Sequence, residues 1–273
     1  MKITFIGGGN MATALIGGLK KQGFSMAGLQ VVEPFDEARE RLTGTFGVRC
    51  TSAIDAAALN CDVIVLAVKP QLMKEAIIPA AGKLSQQLVI SIAAGLRLAD
   101  IGRWLGSDEG YRRLIRSMPN TPALIGAGIT GLYADPSVDL EGRETAEKIL
   151  SAVGKTLWIK DESLMDAVTA VSGSGPAYVF YFIEALQSAG ASLGLPEETA
   201  RLLAIETFVG AAQLAALSDE PVIDLRARVT SKGGTTAAAL DTFASLRVST
   251  SIGHGVAAAA ARGHELCEQL GQD

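Results

Sequence analysis

Three consecutive glycines stand between an apolar strand pattern, Lys2–Ile6, and a helical pattern that begins at Met11 and is closed by Gly23. The stretch Gly7-Gly8-Gly9-Asn10-Met11-Ala12 fits G-x-G-x-x-A, which has mechanical meaning only where a strand ends and a helix opens. That context is met here, and it demands a strand-turn-helix start to the chain. Gly7 permits the tight turn, Gly9 lets a ligand approach the backbone, and the helix from Asn10 offers unpaired N–H groups to a pyrophosphate. The bland alternative is a strand-to-helix turn that happens to be glycine-rich.

The rest of the first half agrees with this start. Gln30–Val32 reads as a second strand ending at Glu33, and Asp36–Leu42 as an amphipathic helix. Cys61–Val68 and Leu88–Ile92 are nearly unbroken apolar runs, the pattern of parallel strands buried on both faces. Helical patterns at Met73–Leu84 and Leu98–Leu105 lie between and after them, and Leu114–Arg116, Gly128–Tyr133 and Thr156–Ile159 extend the sheet, with a helix at Glu144–Val153. Alternating strands and helices predict an α/β, doubly wound, mostly parallel sheet over residues 1–160. After Lys160 no strand pattern follows. Helices are expected at Asp161–Val171, Pro176–Leu193, from Pro196 onward, Ile223–Val229, Thr236–Leu246 and Gly255–Leu270, making 161–273 an all-α domain.

Composition limits the partners. The chain has 273 residues, a net charge of −5 and only 19% charged residues, with a mean hydropathy of +0.29. Disorder needs low hydrophobicity and high charge and is excluded. No basic stripe is present, so nucleic acid is not an expected partner. Cys50, Cys61 and Cys267 are an odd, dispersed set, expected as reduced thiols of a cytoplasmic protein. No signal peptide fits the first residues. The uncharged runs 117–134 and 167–183 are interrupted by Pro119, Pro122, Ser172 and Pro176, so no membrane span is expected there.

Carboxyl ends of strands in such sheets face the ligand crevice. This singles out Glu33, which lies 24 residues beyond Gly9. An acid there either holds the ribose 2′-hydroxyl of NADH or is an exposed acid continuous with Asp36 and Glu37. It also singles out Ala67-Val68-Lys69-Pro70, where Lys69 either touches cofactor or is solvated, the small residues around Ala94, and Asn120 in the turn Met118-Pro119-Asn120-Thr121-Pro122. In the helical half, Ser172-Gly173-Ser174-Gly175-Pro176 and Ser231-Lys232-Gly233-Gly234-Thr235-Thr236 each precede a helix. Both are candidate sites for a carboxylate, or ordinary caps. His264-x-x-Cys267 lacks further ligands, so no metal is expected. Ketone or alcohol chemistry would need a His or Lys acid/base, and Ser163 to Ser231 contains no lysine. A C=N bond needs less help, and Thr236 can offer a hydroxyl to its nitrogen.

In the order and spacing of Phe5–Ala12, Ala67–Pro70, Met118–Pro122, Ala170–Tyr178 and Gly233–Thr236, the chain resembles the pyrroline-5-carboxylate reductases along essentially its whole length. The resemblance implies a Rossmann-type domain followed by an all-helical dimerisation domain. It implies reduction of 1-pyrroline-5-carboxylate to L-proline, the last step of proline biosynthesis, with NADPH or NADH. It also implies an interlocked homodimer that can assemble into a decamer. By the same resemblance Gly7, Gly8, Gly9, Asn10, Met11, Ala67, Val68, Lys69, Pro70 and Ala94 meet the cofactor. Ser231, Gly233, Gly234 and Thr235 hold the substrate carboxylate, Thr236 meets the ring nitrogen, and Glu162 is an acid on the substrate side. Two departures stand out: Lys232 where the family commonly has proline, and Glu33 in a stretch where many NADPH-preferring members carry serine nearby and few acids. A β-hydroxyacid dehydrogenase of the 6-phosphogluconate dehydrogenase type would carry a catalytic lysine early in the helical domain, which this chain lacks. A non-catalytic dinucleotide sensor would have no use for Gly233–Thr236.

Overall fold

A computed structural model describes residues 1–106 and 110–272. Eight strands form one sheet: β1 (Ile3–Ile6), β2 (Leu29–Val32), β3 (Arg49–Thr51), β4 (Val63–Leu66), β5 (Leu88–Ser91), β6 (Leu114–Met118), β7 (Gly128–Ala134) and β8 (Gly154–Trp158). Their spatial order is β3-β2-β1-β4-β5-β6-β7-β8. All pairs are parallel except β6–β7. The helices around the sheet are α1 (Asn10–Lys21), α2 (Asp36–Phe46), α3 (Ala56–Leu59), α4 (Met73–Ile77), α5 (Leu98–Leu105), α6 (Leu140–Leu150) and α7 (Met165–Val168). They are followed by α8 (Gly175–Ser192), α9 (Glu197–Leu217), α10 (Val222–Arg228), α11 (Thr235–Ser245) and α12 (Val248–Leu270).

The strand runs divide by alternation. Ile3, Phe5, Val63, Val65, Leu88 and Ile90 join one core with Leu15, Ile16 and Leu19 of α1. Ile6, Ile64, Leu66 and Val89 join a second core with Met73, Ile101 and Trp104. Successive side chains point to opposite faces, so a sheet covered on both sides needs both sets apolar. Because β1 lies between β2 and β4, the strand order reverses there, and a crevice opens outside their carboxyl ends.

Several expectations need correction. The antiparallel β6–β7 pair and the short β3 and α3 went unread; Arg49-Cys50-Thr51 carries no apolar run and is a strand because β2 pairs with it. The helix expected over 73–84 stops at Ile77 and tightens into a 3-10 turn, Ile78–Ala80, at Pro79, which has no N–H to continue the ladder. α12 begins at Val248, seven residues before the expected Gly255. Helix 161–171 is instead a 3-10 turn, the short α7 and a π-helical turn, Thr169–Gly173. The break expected at Ser172–Pro176 is a single residue: the π turn ends at Gly173, Ser174 is a bend, and α8 begins at Gly175. The Ser174 amide donates to Thr169 O at 2.8 Å, so it is not free for an anion. A Cβ on Gly173 would meet Met118 Cε at 2.3 Å, so the flexible Met118 side chain packs directly over this glycine.

The chain forms two compact units, residues 1–174 with 259–273, and residues 175–258. A division at 160 therefore does not coincide with packing: 161–174 and the end of α12 sit on the sheet. Arg116 of β6 explains this. It is 3% exposed, and its guanidinium lies 3.3 Å from both Glu162 Oε1 and Asp166 Oδ1. Asp166 Oδ1 also accepts the Cys267 thiol at 3.6 Å. Burial raises the Cys267 thiol pKa.

The second unit packs α8 on α9 through small residues, Gly190 against Ala200. Its buried side chains are few, Ala200 and Ala204. Leu193, Leu214, Leu217, Ile223, Phe180 and Tyr181 are all more than 60% exposed. Apolar patches of that extent on helices mark an association surface. Among the described residues α9 alone has the length and apolarity to cross a membrane.

Candidate active site

The expected cofactor residues converge on one end of the sheet. Gly7–Met11 follow β1, Glu33 follows β2, Ala67–Pro70 follow β4, Ala94 follows β5 and Asn120 follows β6. Parallel pairing sets Ile6 level with Val32 and Leu66, and Leu66 level with Ser91, so these segments leave the sheet side by side.

The glycines have distinct duties. Gly7 has φ +99°, and a Cβ on it would meet Ala67 O at 2.6 Å. Its amide donates to Val32 O at 2.8 Å. A Cβ on Gly8 would meet Leu42 Cδ1 at 2.6 Å, whereas one on Gly9 would meet nothing within 4 Å. Gly9 is the N-cap of α1 and supplies no side-chain acceptor to its first turn. Open space thus lies over Gly9, beside uncapped helix amides at the positive end of a dipole. This cradle fits the pyrophosphate of a dinucleotide.

Glu33 is 8% exposed. Its Oε2 accepts the Gly8 N–H at 2.9 Å and its Oε1 the Phe35 N–H at 3.1 Å. The carboxylate is therefore neither solvated nor loose, which the sequence alone left open. Lys69 precedes the 3-10 turn Pro70–Leu72, with Pro70 at its first position. Asn120 is occupied at both ends: Oδ1 accepts the Ile129 N–H at 3.0 Å, and Nδ2 donates to Ser172 Oγ at 3.3 Å.

Glu162 belongs to the sheet-bearing unit, where it pairs with Arg116 and accepts the Leu98 N–H at 2.8 Å through Oε1. Arg116 was not anticipated. The signal available was an arginine ending the strand pattern Leu114-Ile115-Arg116, a charge that must find partners to be buried.

In the helical unit, Ser231–Gly234 close a turn by a bond from Gly234 N to Ser231 O of 3.0 Å. Gly233 has φ +73°, and Lys232 is not among the positive-φ residues. A positive φ at the third position alone defines a type II turn, which favours proline at the second. This explains the proline that the family commonly carries where this chain has Lys232. Gly234 then caps α11 with no side-chain acceptor, leaving Thr235 and Thr236 in an uncapped first turn. His264 lies 3.6 Å from Asp166 and 3.5 Å from Glu268. The described residues hold no cluster of three or more metal-ligating side chains.

Comparison with known proteins agrees with this layout. Residues 2–95 match a family described as NADP oxidoreductase, coenzyme F420-dependent. Residues 162–266 match one described as pyrroline-5-carboxylate reductase dimerisation. A pyrroline-5-carboxylate reductase of Pseudomonas aeruginosa is 46% identical over 99% of this chain and 98% of its own length. The solved structure of a pyrroline-5-carboxylate reductase from Coxiella burnetii shares 40% identity and a TM-score of 0.90 over 97% of this chain and 98% of its own. That of a Plasmodium falciparum pyrroline carboxylate reductase with NADP bound shares 30% identity and a TM-score of 0.86 over 98% of each. With the glycine cradle, the mostly parallel sheet and the Ser231–Thr236 turn in place, these likenesses establish that the chain belongs to the pyrroline-5-carboxylate reductase family, NAD(P)H-dependent oxidoreductases.

Proposed function

We infer that the chain reduces 1-pyrroline-5-carboxylate to L-proline in the cytoplasm, completing proline biosynthesis, and that Thr236 carries the ring nitrogen through the reaction. The observation that supports this site is the uncapped start of α11, held by a type II turn and followed at once by two hydroxyls. Bound NAD(P)H supplies the hydride. Everything else asked of the protein is binding and alignment.

Residues Gly7–Met11 and Ala67–Pro70 hold the dinucleotide, with Ala94 and Asn120 toward the nicotinamide end. The amides of Gly233, Gly234 and Thr235, with Ser231, receive the substrate carboxylate, as helix N-termini receive anions. The Thr236 hydroxyl hydrogen-bonds the ring nitrogen and orients the C=N bond. A protonated imine is already electrophilic, so the added hydride turns a cation into a neutral amine and no basic side chain must move a proton from carbon. The chemistry then depends on orientation, which can supply ~7–11 kcal/mol of rate enhancement.

Glu162, fixed by Arg116 and Leu98 N–H, acts on the substrate side of the functional division at 160. Residues 161–273 make the association domain. Its exposed apolar helices support an interlocked homodimer, with the decamer as the higher assembly. The apolar length of α9 is read as part of that face, not as a span, and no nucleic-acid partner is proposed. Exchange of Thr236 for Ala tests the assignment. It lowers kcat/KM by roughly ten- to a hundredfold, as loss of a hydrogen bond to a charged group does, and Thr236→Ser restores most of it. Equal kinetics for Thr236→Ala and the parent chain would remove Thr236 from its role.

A further inference from the structure

We propose that Arg41 is the residue that reads a 2′-phosphate, so that this chain accepts NADPH through Arg41 and NADH through Glu33 at opposite sides of one glycine. The proposal rests on the reductase reading and deepens it.

Gly8 has an acid on its amide and a cation near its carbonyl. Glu33 Oε2 accepts its N–H at 2.9 Å, and Arg41 Nη2 lies 3.5 Å from its carbonyl oxygen. The acid belongs to the end of β2 and the cation to the second turn of α2. Leu42, the residue after Arg41, is fully buried against Gly8, which seats this turn of α2 beside the glycine. The strand-end acid of such folds binds the ribose 2′-hydroxyl, while a nearby arginine accommodates a 2′-phosphate.

Arg39 is the obvious competitor, and the structure removes it. Its Nη1 donates to Glu33 O at 2.8 Å and Pro34 O at 2.7 Å, and its Nη2 pairs with Asp36. It therefore shapes the turn between β2 and α2. Arg41 is exposed. Among the described residues, its polar contact is the long approach to Gly8 O. A planar guanidinium with most of its donors facing solvent suits a phosphate, which it binds with paired hydrogen bonds. The acidic Glu33 alone would make the chain NADH-specific. With Arg41 on the other side of Gly8, the repulsion of the 2′-phosphate by the carboxylate is offset.

Binding without turnover tests this. Titration calorimetry with 2′,5′-ADP, ADP, NADPH and NADH, in the absence of imine, is done on the parent chain, Arg41→Gln and Arg41→Lys. In Arg41→Gln the dissociation constants of 2′,5′-ADP and NADPH rise roughly ten- to a hundredfold, the range of a hydrogen bond to a charged group. Those of ADP and NADH rise less than about threefold, and Arg41→Lys keeps an intermediate preference. Thermal unfolding of each variant checks folding, and Arg41→Lys carries the test if Arg41→Gln does not fold. Equal losses for phosphorylated and unphosphorylated ligands would overturn the proposal. So would a parent chain that does not bind 2′,5′-ADP more tightly than ADP. If the parent binds 2′,5′-ADP through Arg41 yet reduces no pyrroline-5-carboxylate, the reductase reading fails and Arg41 stands.

Discussion

Alanine at Gly7 and alanine at Gly9 are expected to fail in different ways. A Cβ at position 7 must enter a backbone with φ +99° and meet Ala67 O at 2.6 Å and Val68 Cγ1 at 2.8 Å. The conformation costs about 1–2 kcal/mol for an L-residue, and crowding a packed site adds about 1–3 kcal/mol. With an unfolding entropy of about 2.1 cal/mol/K per residue, a chain of 273 residues loses about 2 °C of Tm per kcal/mol. Gly7→Ala should therefore unfold roughly 4–9 °C early. Position 9 has φ −70°, which alanine adopts freely, and open space around it. Gly9→Ala keeps its Tm or gains about 1–2 °C from a stiffer unfolded chain, while its methyl stands where the pyrophosphate must lie. Its NADPH dissociation constant rises at least roughly fivefold. Differential scanning calorimetry and fluorescence titration of NADPH read the two effects. A Gly9→Ala chain that melts as early as Gly7→Ala, or binds NADPH as the parent does, would refute the assignment of Gly9 to the ligand cradle.

Lys232→Pro presets the second position of the type II turn and should raise stability by about 0.4–1 kcal/mol, read as a Tm gain of about 1–2 °C; a lower Tm would show that the turn is of another type. Asp55, Asp139 and Asp161 accept the backbone N–H groups of Ala58, Gly142 and Ser163, which holds their carboxyl pKa below the usual 3.8. A depressed folded pKa means stability that is present above the unfolded value and lost as pH falls through the folded one. The urea midpoint should thus drop from about pH 4 downward, and Asp139→Asn should flatten that limb. Arg116→Met leaves Glu162 and Asp166 without their buried cation and should cost about 3–5 kcal/mol in urea unfolding.

The sheet was largely legible because buried parallel strands announce themselves: Val63–Leu66 and Leu88–Ser91 are buried throughout. Arg49–Thr51 was not, since a three-residue edge strand is set by its partner and not by its own pattern. The glycine cradle could be read because Gly7 and Gly9 answer to local geometry. What Glu33 and Asn120 do could not, because each is decided by distant amides, Gly8 for one and Ile129 for the other. Arg116 illustrates the same limit. Its partners lie 46 and 50 residues away, and they draw 161–174 and the end of α12 onto the sheet. The bare apolar faces of α8 and α9 were visible as composition, but their exposure could be recognised only once the unit was seen to lack a core of its own.

Absorbance loss of NADH and of NADPH is followed separately with pyrroline-5-carboxylate as the only oxidant, and the product is identified chromatographically. Oxidation of both nucleotides should depend on the imine, with one proline formed for each nucleotide consumed. Nucleotide consumption that does not depend on the imine, or that yields no proline, would contradict the reductase reading.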